Sequence, residues 1–263
     1  MVVNRLKPEQ PRRLVISGAS SGLGLALARY YLLRGATVAA FARRGELLQT
    51  LATEFPNQVY CYALDVRELA AIQNAAQDFM GHVGAPDVVI ANAGVSVGTL
   101  TEYAEDMDVF QQVMDINMLG MVKTFQPFIT AMQSKKSGTL VGIASVAGFR
   151  GLPGASAYSA SKAAAITYLE SLRVELHGSG VKVVTICPGY IKTPMTTHNP
   201  YPMPFILDAD EAAKRMARAI ELQTTFTVIP WQMGLVGCAL KWLPRWLYDR
   251  LFVNAPRKQR VDG

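Results

Sequence analysis

Tyr158 and Lys162 stand four residues apart in Ser156-Ala157-Tyr158-Ser159-Ala160-Ser161-Lys162, at the head of an alanine-rich run that predicts a helix. On a helix this spacing stacks the two side chains on one face, one turn apart. A free phenol, with a pKa of about 10, is a poor proton donor or acceptor at neutral pH. An ammonium held beside it favours the phenolate, so Lys162 is expected to lower the Tyr158 pKa toward the range that general acid–base chemistry uses. Ser145 follows the apolar run Thr139-Leu140-Val141-Gly142-Ile143-Ala144. A hydroxyl there, at the end of a buried strand, could hydrogen-bond a reacting oxygen. Taken alone, a Tyr-x-x-x-Lys pair reads as readily as a surface tyrosine packed on a lysine stem, so its company has to decide.

The elements that would position these groups alternate along the chain. Apolar runs at 14–17, 37–42, 59–64, 88–91, 139–144, 181–187 and 226–229 read as strands. Helical patterns lie between them at 22–34, 45–55, 68–81, 104–133, 157–177 and 209–222. Continuous Val/Ile/Leu strands with intervening helices predict an α/β doubly wound parallel sheet, of about seven strands, with helices on both faces. Ligands gather at the carboxyl ends of such strands. Nothing in composition splits the body, so 1–263 reads as a single domain, with 231–263 an apolar, basic C-terminal extension within it.

The first strand runs directly into Gly18-Ala19-Ser20-Ser21-Gly22-Leu23-Gly24, and a helix comes next. Glycines between a buried strand and a helix permit a tight turn and let backbone N–H groups approach a pyrophosphate. The second strand ends in Ala42-Arg43-Arg44. Two guanidiniums there suit a phosphate dianion, although solvated arginines at a helix start would look the same. Pro188-Gly189-Tyr190-Ile191-Lys192-Thr193-Pro194 comes after the sixth strand, and its prolines and glycine impose a non-helical path.

Taken together, Ser145, Tyr158 and Lys162, the loop Ser17 to Gly24, Ala91-Asn92-Ala93-Gly94, Asn117 and the stretch Pro188 to Thr193 resemble the short-chain dehydrogenase/reductase family, in the same order and spread over roughly residues 12 to 230. The resemblance implies a Rossmann-like fold and hydride transfer between a nicotinamide cofactor and a carbonyl/alcohol pair. In it Tyr158 is the general acid/base, Ser145 holds the same substrate oxygen, and Lys162 tunes the phenol and holds the nicotinamide ribose. Asn117 occupies a helix kink that keeps a proton path open to the lysine. Gly18, Ser20, Ser21, Gly22, Leu23 and Gly24 cradle the dinucleotide. Asp65 and Val66 hold the adenine, although a plain helix cap would look the same. Asn92, Ala93 and Gly94 pack against the cofactor, and Pro188, Ile191 and Thr193 bind its nicotinamide half, with Tyr190 beside the substrate. Ala42 stands where the family's NAD-type aspartate would fall, and Arg43 and Arg44 come directly after it, so NADP(H) is expected over NAD(H). The proline-studded stretch 197–205 falls at the family's substrate lid, and its aromatic and methionine content suits an apolar carbonyl substrate; a purely structural loop is the competing reading. Subunits would pair into a homodimer through 104–133 and 157–177.

Bulk properties exclude other classes. Half of the 263 residues are hydrophobic and 17% are charged, which argues for a folded core and against disorder. The net charge of +6 concentrates at the termini, in Arg5, Lys7, Arg12 and Arg13 against Glu9, and in Lys241, Arg245, Arg250, Arg257, Lys258 and Arg260 against Asp249 and Asp262. The body between is near neutral, which argues against a nucleic-acid reader. Cys61, Cys187 and Cys238 show no paired spacing, His82, His177 and His198 are scattered, and no metal site or disulfide framework is expected. The N-terminus carries no apolar signal-peptide core, and a cytoplasmic location is expected. The tail from Trp231 to Phe252 predicts two short apolar helices, too short to span a bilayer. They could cover the substrate pocket, form a subunit contact, or lie peripherally on a membrane. Two rival readings remain for the whole chain: a non-catalytic NADP(H) sensor on the same fold, and an NAD-dependent alcohol dehydrogenase.

Overall fold

The structure is a computed structural model that describes residues 12–197, 199 and 201–260. The basic stretch holding Arg5, Lys7 and Glu9, the loop residues His198 and Pro200, and Asp262 lie outside the described residues.

One parallel seven-stranded sheet runs through the molecule. Its strands are β1 (Arg13–Ser17), β2 (Thr37–Ala42), β3 (Val59–Ala63), β4 (Val88–Ala91), β5 (Gly138–Ile143), β6 (Val181–Pro188) and, after the short pair β7 (Ile191–Lys192) and β8 (Leu207–Asp208), β9 (Phe226–Ile229). Alternation within each strand feeds two cores. Leu14 and Ile16 of β1 join Leu27 and Tyr31 of α1 (Gly22–Leu32), Leu48 and Leu51 of α2 (Gly45–Glu54), and Met216 and Ile220 of α7 (Ala209–Glu221). Val15, one residue between, faces the other way, toward Phe79 of α3 (Leu69–Val83), Phe125 of α5 (Gly120–Ser134) and Leu169 of α6 (Ser156–Glu175). A sheet buried on both faces has no polar side, which is why its strands read as unbroken apolar runs.

The strand order is β3-β2-β1-β4-β5-β6-β9. The chain therefore winds outward from β1 to β3 and returns to the opposite side of β1 at β4. The carboxyl ends of β1 and β4 flank this reversal, where a doubly wound sheet leaves a crevice for ligand. Ser17 closes β1 there. Its Oγ accepts from the backbone N–H groups of Asn92 and Ala93, both at 3.1 Å.

One expected element divides. The helix anticipated over 104–133 is α4 (Asp106–Met114), a π-helical turn at Asp115–Leu119, and α5. The wider turn puts an extra residue into the helix and carries Asn117 inward. Gly120 then lies against the β3–α3 connection: a Cβ there would sit 2.8 Å from Val66 Cγ2.

The tail forms α8 (Trp231–Trp242) and α9 (Arg245–Phe252), with Pro244 between them. Beyond α9 the chain returns to the body. Gly98 N donates to Gln259 O (2.9 Å), Lys258 Nζ to Ser96 Oγ (2.9 Å), and Arg260 Nε to Asp106 Oδ2 (2.8 Å). No helix among the described residues is long and apolar enough to cross a membrane.

Candidate active site

A crevice at the carboxyl edge of the sheet is lined by the β1–α1 loop, the ends of β2 and β3, the residues after β4 and β5, the start of α6 and the β6–β7 connection. It encloses about 310 Å³, at the lower end of the range for ligand sites. Every expected site residue except Gly24, Asn117 and Tyr190 lines it.

The glycine loop is built for close approach. Gly18 has φ +71°, and a Cβ there would lie 2.9 Å from both Ala93 Cα and Asn92 Nδ2. Gly24 stands behind the loop, where a Cβ would lie 2.2 Å from Gly18 O. Asn92 Nδ2 donates to Ser17 O at 3.0 Å, tying the ends of β1 and β4 together under the loop. A side chain at either glycine would collide with the loop backbone or with Asn92 and Ala93, and so would displace the loop whose N–H groups a pyrophosphate needs.

At the end of β2, Arg44 Nη2 donates to Ser21 Oγ (2.8 Å) and to Ser20 Oγ (3.3 Å), while Arg43 stands exposed at the crevice wall. The neighbouring position is Ala42, so the residues present offer guanidiniums and hydroxyls, a donor set matched to a phosphate. Asp65 also lines the crevice, but Arg67 engages it: the Arg67 backbone N–H donates to Oδ1 (2.9 Å) and Nη2 to Oδ2 (2.8 Å). The Arg67 guanidinium holds the Asp65 carboxyl below its usual range.

Three functional side chains meet at the other end. Ser145 Oγ donates weakly to Pro188 O (3.4 Å) and accepts from Ala147 N (3.2 Å). Tyr158 is half-buried with its ring on the crevice. Lys162, 4% exposed, donates from Nζ to Ile143 O (2.8 Å) and lies 5.8 Å from the Tyr158 ring centroid. The expected acidic phenol is not what this arrangement produces. Burial pushes the Tyr158 phenol above its ordinary value, and hydrogen bonding to Ser145 opposes that less strongly. Lys162 does not offset that burial: its own ammonium is pushed down to about 8 by burial, and its Nζ donates to a backbone carbonyl. The low-dielectric setting raises the cost of both charges.

Asn117 does not reach the crevice. Its Oδ1 accepts from Val95 N (2.8 Å), and its Nδ2 donates to Val95 O (2.9 Å) and Ser161 Oγ (3.0 Å), bracing α6 against the residues after β4. Tyr190 turns aside as well, with its ring 6.3 Å from that of Tyr201.

Two residues outside the expected set adjoin the centre. Cys187, at the end of β6, is fully buried beside Lys162, and burial pushes its thiol up to about 12. Tyr201, half-buried in the loop before β8, has its phenol raised by burial and by the nearby Tyr190 and Tyr158. Among the described residues no group of His, Cys, Asp or Glu could hold a metal ion.

The short chain dehydrogenase family model matches residues 12–201. An uncharacterized oxidoreductase of Myxococcus xanthus is 38% identical over 90% of this chain and 95% of its own. The 2-dehydro-3-deoxy-L-rhamnonate dehydrogenase (NAD(+)) of a Sphingomonas strain is 35% identical over 72% of this chain and 76% of its own. Among solved structures, a short chain dehydrogenase from Burkholderia cenocepacia in complex with NADP superposes with a TM-score of 0.80 at 26% identity, covering 94% of this chain and 99% of that one.

Proposed function

The chain belongs to the short-chain dehydrogenase family, and from that premise we propose that it is a carbonyl reductase using NADP(H), with Tyr158 as general acid/base and an apolar substrate. The single observation that carries the reading is the shared crevice: the hydroxyls of Ser145 and Tyr158 open onto the same space as the glycine loop and Arg43. When bound, the nicotinamide supplies the hydride. The residues of this chain supply the proton and the placement.

In the reductive direction the Tyr158 Oη–H donates its proton to the oxygen of the carbonyl as charge develops on it. Ser145 Oγ donates a hydrogen bond to that oxygen, stabilising charge that appears only in the transition state. Burial keeps the Tyr158 phenol protonated, the form that the reductive direction draws on. Lys162 places a cation behind the phenol and can donate to ribose hydroxyls. Asn117 holds the π-helical turn and α6 in register, a positioning role.

Ala42, Arg43 and Arg44 at the end of β2 support NADP(H). The relatives divide on this point, since the Sphingomonas enzyme is named for NAD+ and the Burkholderia structure holds NADP. The arginines therefore carry the preference. Met195 and Phe205, exposed in the β7–β8 connection with Met195 at the crevice, suit an apolar substrate. Burying the Lys162 ammonium is a cost that a sensor has no need to bear, which sets the non-catalytic reading second. The same proposal takes the chain as one catalytic domain in a reducing, cytoplasmic setting, consistent with free thiols at Cys61, Cys187 and Cys238. It takes the dimer contact to lie on α4 to α6, where Met107, Leu119 and Val174 are exposed.

Tyr158→Phe removes the transferable proton while keeping the ring. NADPH oxidation across a panel of apolar ketones and aldehydes is expected to fall by about a hundredfold or more, with NADPH binding retained by fluorescence titration. Turnover near that of the unaltered protein would refute the assignment.

A further inference from the structure

The outward face of α8 is apolar where a surface helix is ordinarily polar. Met233 and Gly237 turn inward; Gly237 is pressed against Phe149, where a Cβ would lie 2.3 Å from Cδ2. This leaves Trp231, Leu235, Cys238 and Trp242, at helical spacing, facing solvent, with Trp231 65% and Trp242 84% exposed. On α9 the anchor is Tyr248, whose Oη donates to Gly151 O at 2.5 Å and whose ring stacks on Phe252. Fixing Tyr248 inward turns Trp246 (68% exposed), Leu251 and Val253 outward. Scattered single apolar residues on a surface need no explanation; a continuous run holding every tryptophan in the chain does.

Charge on the same two helices narrows the occupant. Lys241 and Arg250 are exposed, Arg250 one turn from Trp246, while Arg245 and the single carboxylate of Asp249 share the groove beside Tyr248. A second copy docking by the same face would bring these cations together. An anionic surface would neutralise them while accepting the apolar side chains between. Tryptophans bridging apolar and wet regions, flanked by basic residues, are matched to a lipid interface. We propose that α8 and α9 form a docking face that lays the protein on an anionic lipid bilayer, without crossing it. Because α9 is held to Gly151, and Arg150 Nη1 donates to Lys241 O (3.3 Å), the face is joined to the loop after Ser145. Docking would therefore orient the β5–α6 side of the molecule toward the bilayer. The proposal is independent of the reaction assigned above.

The full chain is mixed with phosphatidylcholine vesicles, with or without phosphatidylglycerol, and sedimented. Binding to the anionic vesicles that weakens with added salt is the expected result. Trp242→Glu combined with Trp246→Glu is expected to reduce it by about tenfold or more, and Arg250→Gln by about fivefold. Both substitutions lie away from the crevice, and far-UV circular dichroism with the thermal unfolding midpoint serves as the folding control. Absence of sedimentation, or sedimentation unchanged by the double variant, overturns the proposal. So does a dimer in lipid-free solution that the double variant disperses, which would make the face a subunit contact. Should the double variant not fold, the unaltered protein still decides: a blue shift of tryptophan emission and its quenching by brominated lipid are expected, and the absence of both overturns the proposal.

Discussion

Lys162 is held where its charged form is disfavoured. Burial pushes the ammonium down to about 8 from the ordinary lysine value of 10.5. The unfolded chain holds that proton more tightly, so the penalty on folding is complete below pH 8 and is relieved as pH climbs through 10.5. The shift corresponds to about 3 kcal/mol against the charged form. Lys162→Met is therefore expected to unfold at higher denaturant concentration than the unaltered protein at pH 7, to lose that advantage at alkaline pH, and to lose catalysis throughout. A variant less stable at pH 7 would show the ammonium to be a net stabiliser. In the unaltered protein kcat/KM for reduction should fall as pH rises through about 8, where Lys162 loses its charge; a flat profile to pH 10 would remove the lysine from the proton chemistry. Ser145, Tyr158 and Lys162 are singled out by the company they keep along the chain, since the Tyr158–Lys162 spacing alone reads as readily as a surface pair, and all three line one crevice. The direction of the tyrosine shift is not legible in the sequence, because spacing reports who stands near whom and only tertiary packing reports how much water remains. Cys187 is illegible for the same reason: nothing in a strand-end cysteine says which lysine it will lie against.

The proposed cofactor choice rests on the connection between β2 and α2. Arg44 already donates to Ser20 and Ser21, so it is preorganised across the mouth of the glycine loop, while exposed Arg43 can turn toward a ligand. Arg43→Ala is expected to weaken NADPH by about tenfold to a hundredfold and to leave NADH within about twofold of its original affinity. Equal losses, measured by titration of both cofactors, would place the guanidinium away from a 2′-phosphate. Element positions are well marked in the sequence because the central strands, such as β4 and β5, are buried along their whole length and read as apolar runs between helices. By composition the stretch 104–133 reads as unbroken, because a π-helical turn at Asp115–Leu119 leaves helical composition intact and changes only the phase of the residues after it; only the family resemblance places a kink at Asn117. α8 and α9 are legible as short apolar helices. Which of their faces is left outward depends on Phe149 and Gly151, far away in the chain.

At the scale of the molecule, the order of strands places the crevice, and the returning tail holds one of its walls. Arg260 crosses the whole chain to reach the start of α4. It donates from Nε to Asp106 Oδ2 (2.8 Å) and from Nη2 to Asp106 Oδ1 (3.0 Å), and its guanidinium covers the Tyr103 ring at 3.7 Å. Asp106 Oδ2 also accepts from Leu100 N (2.7 Å), so a single carboxylate fastens the tail to the segment beyond Val95 at the crevice. No local pattern announces a partner 154 residues away, and charge counting alone reads Arg260 as one more residue of a basic tail. The Arg260 guanidinium holds the Asp106 carboxyl below its usual range. The pair therefore contributes stability above the unfolded carboxylate value, and that contribution fades as pH falls through the lower folded value. Arg260→Ala is expected to lower Tm clearly at pH 7, with a gap from the unaltered protein that closes as pH falls below the ordinary carboxylate range. If the tail braces the crevice wall, the variant will also raise KM for substrate while leaving NADPH affinity unchanged, since the glycine loop and Arg43 lie at the opposite end. A fall in NADPH affinity with KM unaltered would mean that the tail supports the cofactor half instead.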